Sequence, residues 1–308
     1  MSNKNFDITK YIGWQLGQKK FDVKKYCINN YGKNLTKKIL EKTGPSQLYH
    51  CDKNQNSLIL AREAWKKIKN KINISKVKNL IFISETNINQ FPGNGYLFGS
   101  ENEFDENILV FDVNAGCTGF VDGLILAESL KGNSLIVCSE TYSKNIHNFD
   151  RSTSTLFSDC STVFYYDKNV FKLTKYKNFM KKNSYNDLIK KNNSTMFMDG
   201  MKVFNFVSSN VITKLTNFLK KNKYNSIIES LYLHQASKVV IDFIKSKEVF
   251  KEIRIPSNIS KIGNTVSSSI PMLMLYDKKK INSSKNKIAL CGFGVGLACS
   301  IAILEIKK

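Results

Sequence analysis

The chain has 308 residues, 42% of them hydrophobic, which is ordinary for a globular protein with a full core. No apolar run approaches the roughly eighteen residues of a membrane-spanning helix, and the first residues lack the basic-then-apolar order of a signal peptide. We therefore expect a cytoplasmic protein without a membrane span. The net charge of +22 usually suggests nucleic-acid binding, but the lysines are spread along the chain without a basic helix or arginine-rich arm. We expect no nucleic-acid partner.

Apolar segments typical of strands alternate with helical patterns along the chain. The predicted helices are 57–70, 120–130, 203–220 and 237–245. The predicted strands are 79–84, 108–113, 134–139, 161–166, 231–234, 287–291 and 299–306. Near-continuous apolar strands separated by helices predict sheets that are covered by helices on both faces. The lysine- and asparagine-rich segment 168–196 is predicted to be a surface connection.

A weak internal similarity suggests that the chain contains two related halves. The segment LFSDCSTVFYY near residue 160 resembles the terminal segment GFGVGLACSIAIL, since each has a Phe-containing turn, small residues and an apolar strand. A division near residue 170 gives one half from 1 to 170 and another from 171 to 308.

The seven cysteines are scattered and form no CxxC pair, so neither a disulfide framework nor a metal site is predicted. Cys138, Cys291 and Cys299 lie in apolar runs and are predicted to be small core residues. Cys117 differs, because it follows a strand and precedes a helical pattern, with Ala115, Gly116, Thr118 and Gly119 around it. A thiol at the positive end of a helix favours the thiolate, so Cys117 is predicted to be a nucleophile.

Two further segments supply the other parts of a thiol acyl-transfer site. His234 is the one of three histidines that ends a predicted buried strand, and Asn264 lies in a turn rich in Gly, Ser and Thr. Cys, His and Asn together are typical of acyl transfer through a thiol. Taken singly, His234 could be a core histidine, and the pattern around Asn264 favours a plain turn residue.

The ordered set DVNAGCTGF, LHQAS, GNTVSSSIP and GFGVGLACSIAIL resembles beta-ketoacyl-acyl-carrier-protein synthase III, of the thiolase superfamily. The resemblance runs from about residue 42 to the C-terminus, and the first forty residues match poorly. It implies an α/β, thiolase-like fold with two duplicated βαβαβ-type halves in a layered α/β/α/β/α arrangement. Cys117 would lie on the first half, and His234 and Asn264 on the second.

The resemblance also implies a reaction. Cys117 would take an acyl group from acyl-CoA or from an acyl carrier protein (ACP), and malonyl-ACP would then decarboxylate against His234 and Asn264. The carbanion would attack the acyl-Cys117 and give a 3-ketoacyl product. No bound cofactor is implied, since the phosphopantetheine of CoA or ACP belongs to the substrate.

The loop with Gly294, Val295 and Gly296 would complete an oxyanion hole with the Cys117 N–H. Val295 interrupts the glycines that the family carries there, and a valine would be strained if this position required a positive φ.

Phe91 matches a family phenylalanine that reaches into the acyl pocket of the other subunit, which implies a homodimer. A loop aromatic before Pro92 is the alternative. The stretch FMDGMKVFNF and the segment DRST match the pantetheine channel and a CoA-nucleotide contact, at Met198, Gly200, Phe204 and Arg151.

The family tryptophan that stacks on adenine is replaced by Lys38, and a nearby family arginine by Lys42. Both changes weaken the case for CoA as the carrier of the first substrate, so CoA and ACP stay open as acyl donors. Lys202, Lys238 and Lys245 are candidate docking charges for an acidic carrier protein.

Glu85 in ISETN lies where the related hydroxymethylglutaryl-CoA synthases carry a catalytic glutamate, so a general base near Cys117 competes with a surface glutamate at a strand end. Three other functions stay open. They are acyl transfer to an alcohol or amine in a specialised lipid or surface-polysaccharide pathway, a Glu85-assisted condensation with acetyl-type donors, and a binding module with a relic site.

Overall fold

The structure of the protein is a computed structural model that describes residues 6–192, 194–221, 227–283 and 287–307. The helices of the described residues are α1 Val23–Thr43, α2 Ser57–Lys66, α3 Asn94–Ser100, α4 Gly119–Ser129, α5 Gly200–Phe206, α6 Ile212–Lys221, α7 Lys238–Lys245, α8 Ile259–Ile262, α9 Ser269–Tyr276 and α10 Lys278–Ser283. The strands are β1 Ile12–Leu16, β2 Lys19–Asp22, β3 Gln47–His50, β4 Val77–Ile83, β5 Leu109–Val113, β6 Asn133–Glu140, β7 Cys160–Tyr166, β8 Phe171–Met180, β9 Leu188–Ile189, β10 Phe197–Met198, β11 Leu231–Leu233, β12 Lys287–Gly294 and β13 Ala298–Ile306. None of these helices is both long enough and apolar enough to cross a bilayer.

Two sheets organise the molecule. The first has five strands in the order β1-β7-β6-β4-β5, with β5, β4 and β6 parallel and the other neighbours antiparallel. The second has four strands in the order β11-β12-β13-β8, of which β11 and β12 are parallel. The predicted boundary at residue 170 falls between β7 and β8, and the duplication of the halves stays a prediction.

The alternation of side chains along the strands builds five layers. On β4, Leu80 and Phe82 pack against α2 and α3 on the outer face, while Ile81 and Ile83 face a core shared with α4, α9 and the second sheet. On the far face of the second sheet, Ala289 and Cys291 of β12 pack against α6 and α7. The order is therefore helices, sheet, helices, sheet, helices, and the layered α/β/α/β/α prediction is confirmed.

The segment predicted to be a surface connection contains a strand, so that prediction is wrong for its first part. β8 forms nine pairs with β13 and closes the second sheet, with Phe171 and Leu173 buried. Its middle residues are solvent-exposed lysines and polar residues, because β8 is an edge strand. The sequence pattern was misleading because the fully buried residues of the strand, Phe171 and Leu173, lie at its start and most of the others are exposed.

The three cysteines predicted to be core residues are buried, Cys138 on β6, Cys291 on β12 and Cys299 on β13. The parallel strands β4, β5 and β6 end at the same edge of the first sheet. The residues that follow them therefore converge, and these include Glu85, Cys117 and Tyr142.

Candidate active site

Cys117 lies between the end of β5 and the start of α4, as predicted. The turn is closed by a hydrogen bond of 2.9 Å from the Gly119 N–H to the Gly116 carbonyl, and Thr118 occupies the N-cap of α4. The Cys117 side chain is buried, with 8% of its surface exposed. The predicted nucleophile therefore lies inside the protein, just before the start of α4.

The end of β12 packs directly against Cys117. A Cβ on Gly294 would lie 2.5 Å from the Cys117 Sγ, and one on Gly292 would lie 2.8 Å from the Cys117 carbonyl oxygen, so both positions require glycine. Positive φ in this loop falls on Gly294 (156°) and Gly296 (128°) and not on Val295. The strain considered for Val295 is therefore absent.

The surroundings of Cys117 do not favour the thiolate in the resting protein. Burial and the nearby Glu85 carboxyl raise the pKa of Cys117 to about 12, while the backbone N–H groups of Val295 and Cys117 act in the opposite direction. The predicted lowering by the helix end is outweighed, because the thiol is desolvated and faces carboxyl groups.

His234 and Asn264 form a pair, with 3.4 Å between Asn264 Nδ2 and His234 Nε2. Asn264 Oδ1 accepts a 2.8 Å hydrogen bond from the Val266 N–H, which turns the amide nitrogen toward His234. Burial lowers the pKa of His234 to about 3, so its imidazole is neutral at physiological pH. A contact of 3.4 Å is at the long limit for a hydrogen bond, which leaves both groups available to a ligand oxygen.

One strand connects the pair to the cysteine. The backbone N–H of His234 donates to the Cys291 carbonyl of β12 at 2.9 Å. Gly292 and Gly294 of the same strand contact Cys117. Because a strand rises about 3.3 Å per residue, these contacts lie within roughly 10 Å along β12. The structure thus brings Cys117, His234 and Asn264 together.

Glu85 lies beside Cys117 and is half-buried, so the structure does not place it as a surface glutamate. Its Oε2 accepts a hydrogen bond from the Tyr142 hydroxyl and lies 2.5 Å from where a Cβ on Gly116 would be. Its backbone N–H donates to both carboxyl oxygens of the buried Glu140 at 3.2 Å. Burial raises the pKa of both carboxyls, and for Glu140 the neighbouring Glu85 adds to the rise.

The sequence reasoning missed Glu140 and Tyr142. The signal available was an acidic residue at the end of SLIVCSE, a strand whose other residues are all small or apolar. Charged residues are rarely fully buried, so an acid closing a core strand suggests a site.

The remaining predicted residues lie farther out. Phe91 is on the loop after β4 with 82% of its surface exposed, and Arg151 is exposed. Gly200 begins α5 and is exposed, whereas Met198 and Phe204 pack against the core cluster that includes Cys117.

Lys38 and Lys42 are exposed on α1. Two of the three candidate docking lysines are paired within the chain, Lys202 with Asp187 at 2.9 Å and Lys238 with Asp242. Lys245 is exposed at the end of α7. Within the described ranges, no His, Cys, Asp and Glu side chains gather in a group of three or more that could hold a metal ion.

Comparison with known proteins agrees with this architecture. A relative from Clostridium perfringens named beta-ketoacyl-[acyl-carrier-protein] synthase III is 25% identical, and the match covers 96% of this chain and 99% of the relative. A second, from Lactobacillus helveticus and of the same name, is 28% identical over 65% of this chain and 68% of its own length.

Solved structures share the fold. A 3-oxoacyl-(acyl-carrier-protein) synthase III superposes with a TM-score of 0.87 at 22% identity, covering 96% of this chain and 98% of that one. The Thermus thermophilus synthase III gives a TM-score of 0.85 at 20% identity, with coverage of 96% and 98%. The thiolase-like fold is thus confirmed.

Two family models match the chain. The 3-oxoacyl-[acyl-carrier-protein (ACP)] synthase III model matches residues 111–186, which contain Cys117. The model of the C-terminal part of the same synthase matches residues 197–306, which contain His234 and Asn264. Together they cover more than half of the chain, which therefore belongs to the 3-oxoacyl-[acyl-carrier-protein] synthase III family.

Proposed function

We propose that this protein is a condensing enzyme that forms an acyl-Cys117 and joins the acyl group to a malonyl-ACP unit. The observation that carries the proposal is the packing of the β12 glycines against Cys117 while the same strand holds the His234–Asn264 pair. Family membership is consistent with this reaction.

Loading begins with the thiol, because the pKa of Cys117 is raised. Glu85 is the proposed base, since its carboxyl is beside Cys117. The sulfur attacks the carbonyl carbon of the donor thioester, the proton passes to Glu85, and the donor thiol leaves with that proton. The N–H groups of Cys117 and Val295, flanked by Gly294 and Gly296, would stabilise the oxyanion.

Condensation uses the other side of the site. His234, held neutral by burial, and Asn264 donate hydrogen bonds to the malonyl thioester carbonyl. The carbon–carbon bond between the malonyl methylene and its carboxylate breaks, carbon dioxide leaves, and the electron pair of that bond forms an enolate. The enolate carbon attacks the acyl carbonyl, the carbon–sulfur bond breaks, and the released Cys117 thiolate takes up a proton from solvent.

The carrier of the acyl group is proposed to be ACP, although CoA stays open. The exposed Lys38 and Lys42 replace the family residues that would hold an adenine nucleotide, which disfavours CoA. Lys202 and Lys238 already have acidic partners, so Lys245 is the better candidate for docking an acidic carrier protein. Met198, Gly200 and Phe204 would line the pantetheine channel, and Arg151 would lie near a CoA nucleotide.

A homodimer is proposed as the working form. β5 is an edge strand of the first sheet, with Leu109 53% exposed, and the loop beside it presents Phe91. Pairing β5 with its copy would cover the exposed leucine and bring Phe91 toward the partner's acyl pocket.

Intact-mass spectrometry tests the proposal directly. The protein and Cys117→Ala would be incubated with acyl-CoA and acyl-ACP thioesters, with and without malonyl-ACP. We expect a mass gain on the wild type only, discharged by malonyl-ACP. A gain that malonyl-ACP does not discharge would favour an alcohol or amine acceptor, and no gain from any thioester would overturn the proposal.

A further inference from the structure

The wall of the site beside Cys117 is polar. Glu85 Oε2 lies close to Gly116, and the Tyr142 hydroxyl donates to that oxygen. Cys117 and Tyr142 are both buried and belong to one core cluster. An acyl group attached to Cys117 Sγ would therefore have this carboxyl and this hydroxyl as neighbours.

The two carboxyls of this region differ in how fully they are hydrogen-bonded. Glu140 accepts hydrogen bonds from the Glu85 N–H, from Thr86 Oγ1 at 3.0 Å and from Ser267 Oγ at 3.2 Å. The Glu85 carboxyl has Tyr142 as its one side-chain partner among the described residues. Glu140 is thus committed to the protein, whereas Glu85 retains acceptor capacity.

Among the described residues, no lysine or arginine contacts the Glu85 carboxyl. Its pKa is raised by burial, and the opposing influence is the Tyr142 hydrogen bond and not a lysine or arginine. A desolvated carboxyl without a cation is unfavourable unless a donor approaches it. Tyr142 supplies one donor, and a ligand can supply a further donor to the acceptor positions that Tyr142 does not use.

The same wall limits the space for an acyl chain. The Tyr142 ring packs on the buried Phe157 at a centroid distance of 5.2 Å, and Val295 Cγ1 lies 3.0 Å from where a Cβ on Gly116 would be. A long alkyl chain here would press methylene groups against the Glu85 carboxyl, which costs desolvation without a compensating hydrogen bond.

We propose that Glu85 and Tyr142 select a short acyl group that bears a hydrogen-bond donor, a hydroxyl or an ammonium, near its thioester carbonyl. The hydroxyl or ammonium of the acyl group donates a hydrogen bond to the Glu85 carboxyl. The Tyr142 hydroxyl fixes the orientation of that carboxyl. This inference rests on the proposed function, because it requires acylation of Cys117. It is compatible with Glu85 as a base during loading, because a carboxylate has two oxygens: one can take the thiol proton while the other accepts the hydrogen bond from the acyl group.

The test is a competition between thioesters whose acyl chains have equal length. The protein is offered equimolar butyryl and 3-hydroxybutyryl thioesters, and separately butyryl and 3-aminobutyryl thioesters, each as the CoA and the ACP form. The ratio of the two acyl adducts on Cys117 is read by intact mass. We expect at least one of the two polar acyl groups to load about tenfold faster than butyryl. A factor of this size corresponds to the free energy of one hydrogen bond to a charged group.

Three variants assign the preference to its residues. Glu85→Met, similar in length and without an acceptor, should bring the ratio close to one, and Tyr142→Phe should reduce it severalfold. Glu106→Met removes an exposed carboxylate elsewhere and should leave the ratio unchanged. Because both donors compete on the same variant, a slower proton transfer from Cys117 cancels in the ratio.

The outcomes separate this inference from the proposed function. Loading with butyryl as the preferred acyl group, or a polar preference that survives in Glu85→Met, overturns the inference and leaves the condensing enzyme intact. Absence of loading from every thioester, in protein with native circular dichroism, overturns the proposed function and this inference with it.

Discussion

At the scale of single residues, Cys117 is held as a thiol until a substrate arrives. Its carboxyl neighbours and its burial oppose the thiolate, and the backbone N–H groups only partly offset them. A nucleophile held as a thiol would need a base at the moment of attack, and Glu85 is the base that we propose.

Replacing Glu85 with Gln removes a carboxyl charge from beside Cys117. The pKa of the thiol should fall, because burial raises it and Glu85 raises it further. At pH 9, we expect alkylation of Cys117 by iodoacetamide to become faster by roughly tenfold, as for a shift of about one pH unit. Peptide mass mapping identifies the alkylated cysteine, and Glu106→Gln is the matched control. An unchanged rate in Glu85→Gln would contradict this account of the Cys117 environment.

His234 should stay neutral well below physiological pH. Burial lowers its pKa to about 3, so on acidification the unfolded chain binds a proton that the folded protein excludes. Stability from this residue is present above pH about 6.5 and is lost as the pH falls toward 3. In an NMR titration from pH 8 to 4.5, the His234 ring signals should not move. Titration near pH 6.5 would show that the histidine is solvated.

At the scale of elements, the end of β12 shapes the site through its backbone. Strand residues usually keep neighbouring chains apart with their side chains, but Gly292 and Gly294 let β12 reach Cys117 itself. This close approach is what places the Val295 N–H at the sulfur.

Substituting Gly294 with Ala should abolish acylation. The new Cβ would lie 2.5 Å from Cys117 Sγ, and the φ of 156° is one that alanine rarely adopts. We expect at least about a hundredfold slower loading and a loss of roughly 1–3 kcal/mol of stability. Glu106→Ala, at an exposed residue outside the proposed site, is the control. Intact mass and thermal melting measure the two effects, and normal loading by Gly294→Ala would contradict the described packing.

At the scale of the whole molecule, the edge strands β5 and β8 differ in character. β5 offers an exposed leucine at the edge of the first sheet, while β8 at the edge of the second sheet carries a row of lysines. Lysines on an edge strand discourage pairing with another chain, so β5 is the edge suited to a dimer.

Leu109→Lys should therefore weaken the dimer and shift the mass measured by light scattering from two chains toward one. Tyr176→Lys, at a residue of β8 with 51% exposure compared with 53% for Leu109, should leave the mass unchanged. If the condensation also needs Phe91 from the partner, the Leu109→Lys protein should lose activity in parallel with the dimer. A wild-type protein that is monomeric at all concentrations would contradict the proposal.

The family and the layered sheets could be predicted from the order of residues, and Cys117, His234 and Asn264 were named there as candidate site residues. Strands and helices with strong apolar periodicity form where they are predicted, because the spacing of apolar residues along the chain decides whether a strand or a helix gathers them on one face. The ordered motifs then located the three polar groups. β8 was not predicted, because most of its residues face solvent and its sequence shows no sustained alternation of apolar and polar residues.

Only the tertiary structure decided the electrostatics of the site. Glu85, Glu140 and Tyr142 are separated along the chain from Cys117, and they meet because the parallel strands β4, β5 and β6 end at one edge. The helix end alone predicted a lowered pKa for Cys117, whereas desolvation and the converging carboxyls raise it. Desolvation and the interactions between charged groups depend on distances through space. These distances are set when the sheets and helices pack together.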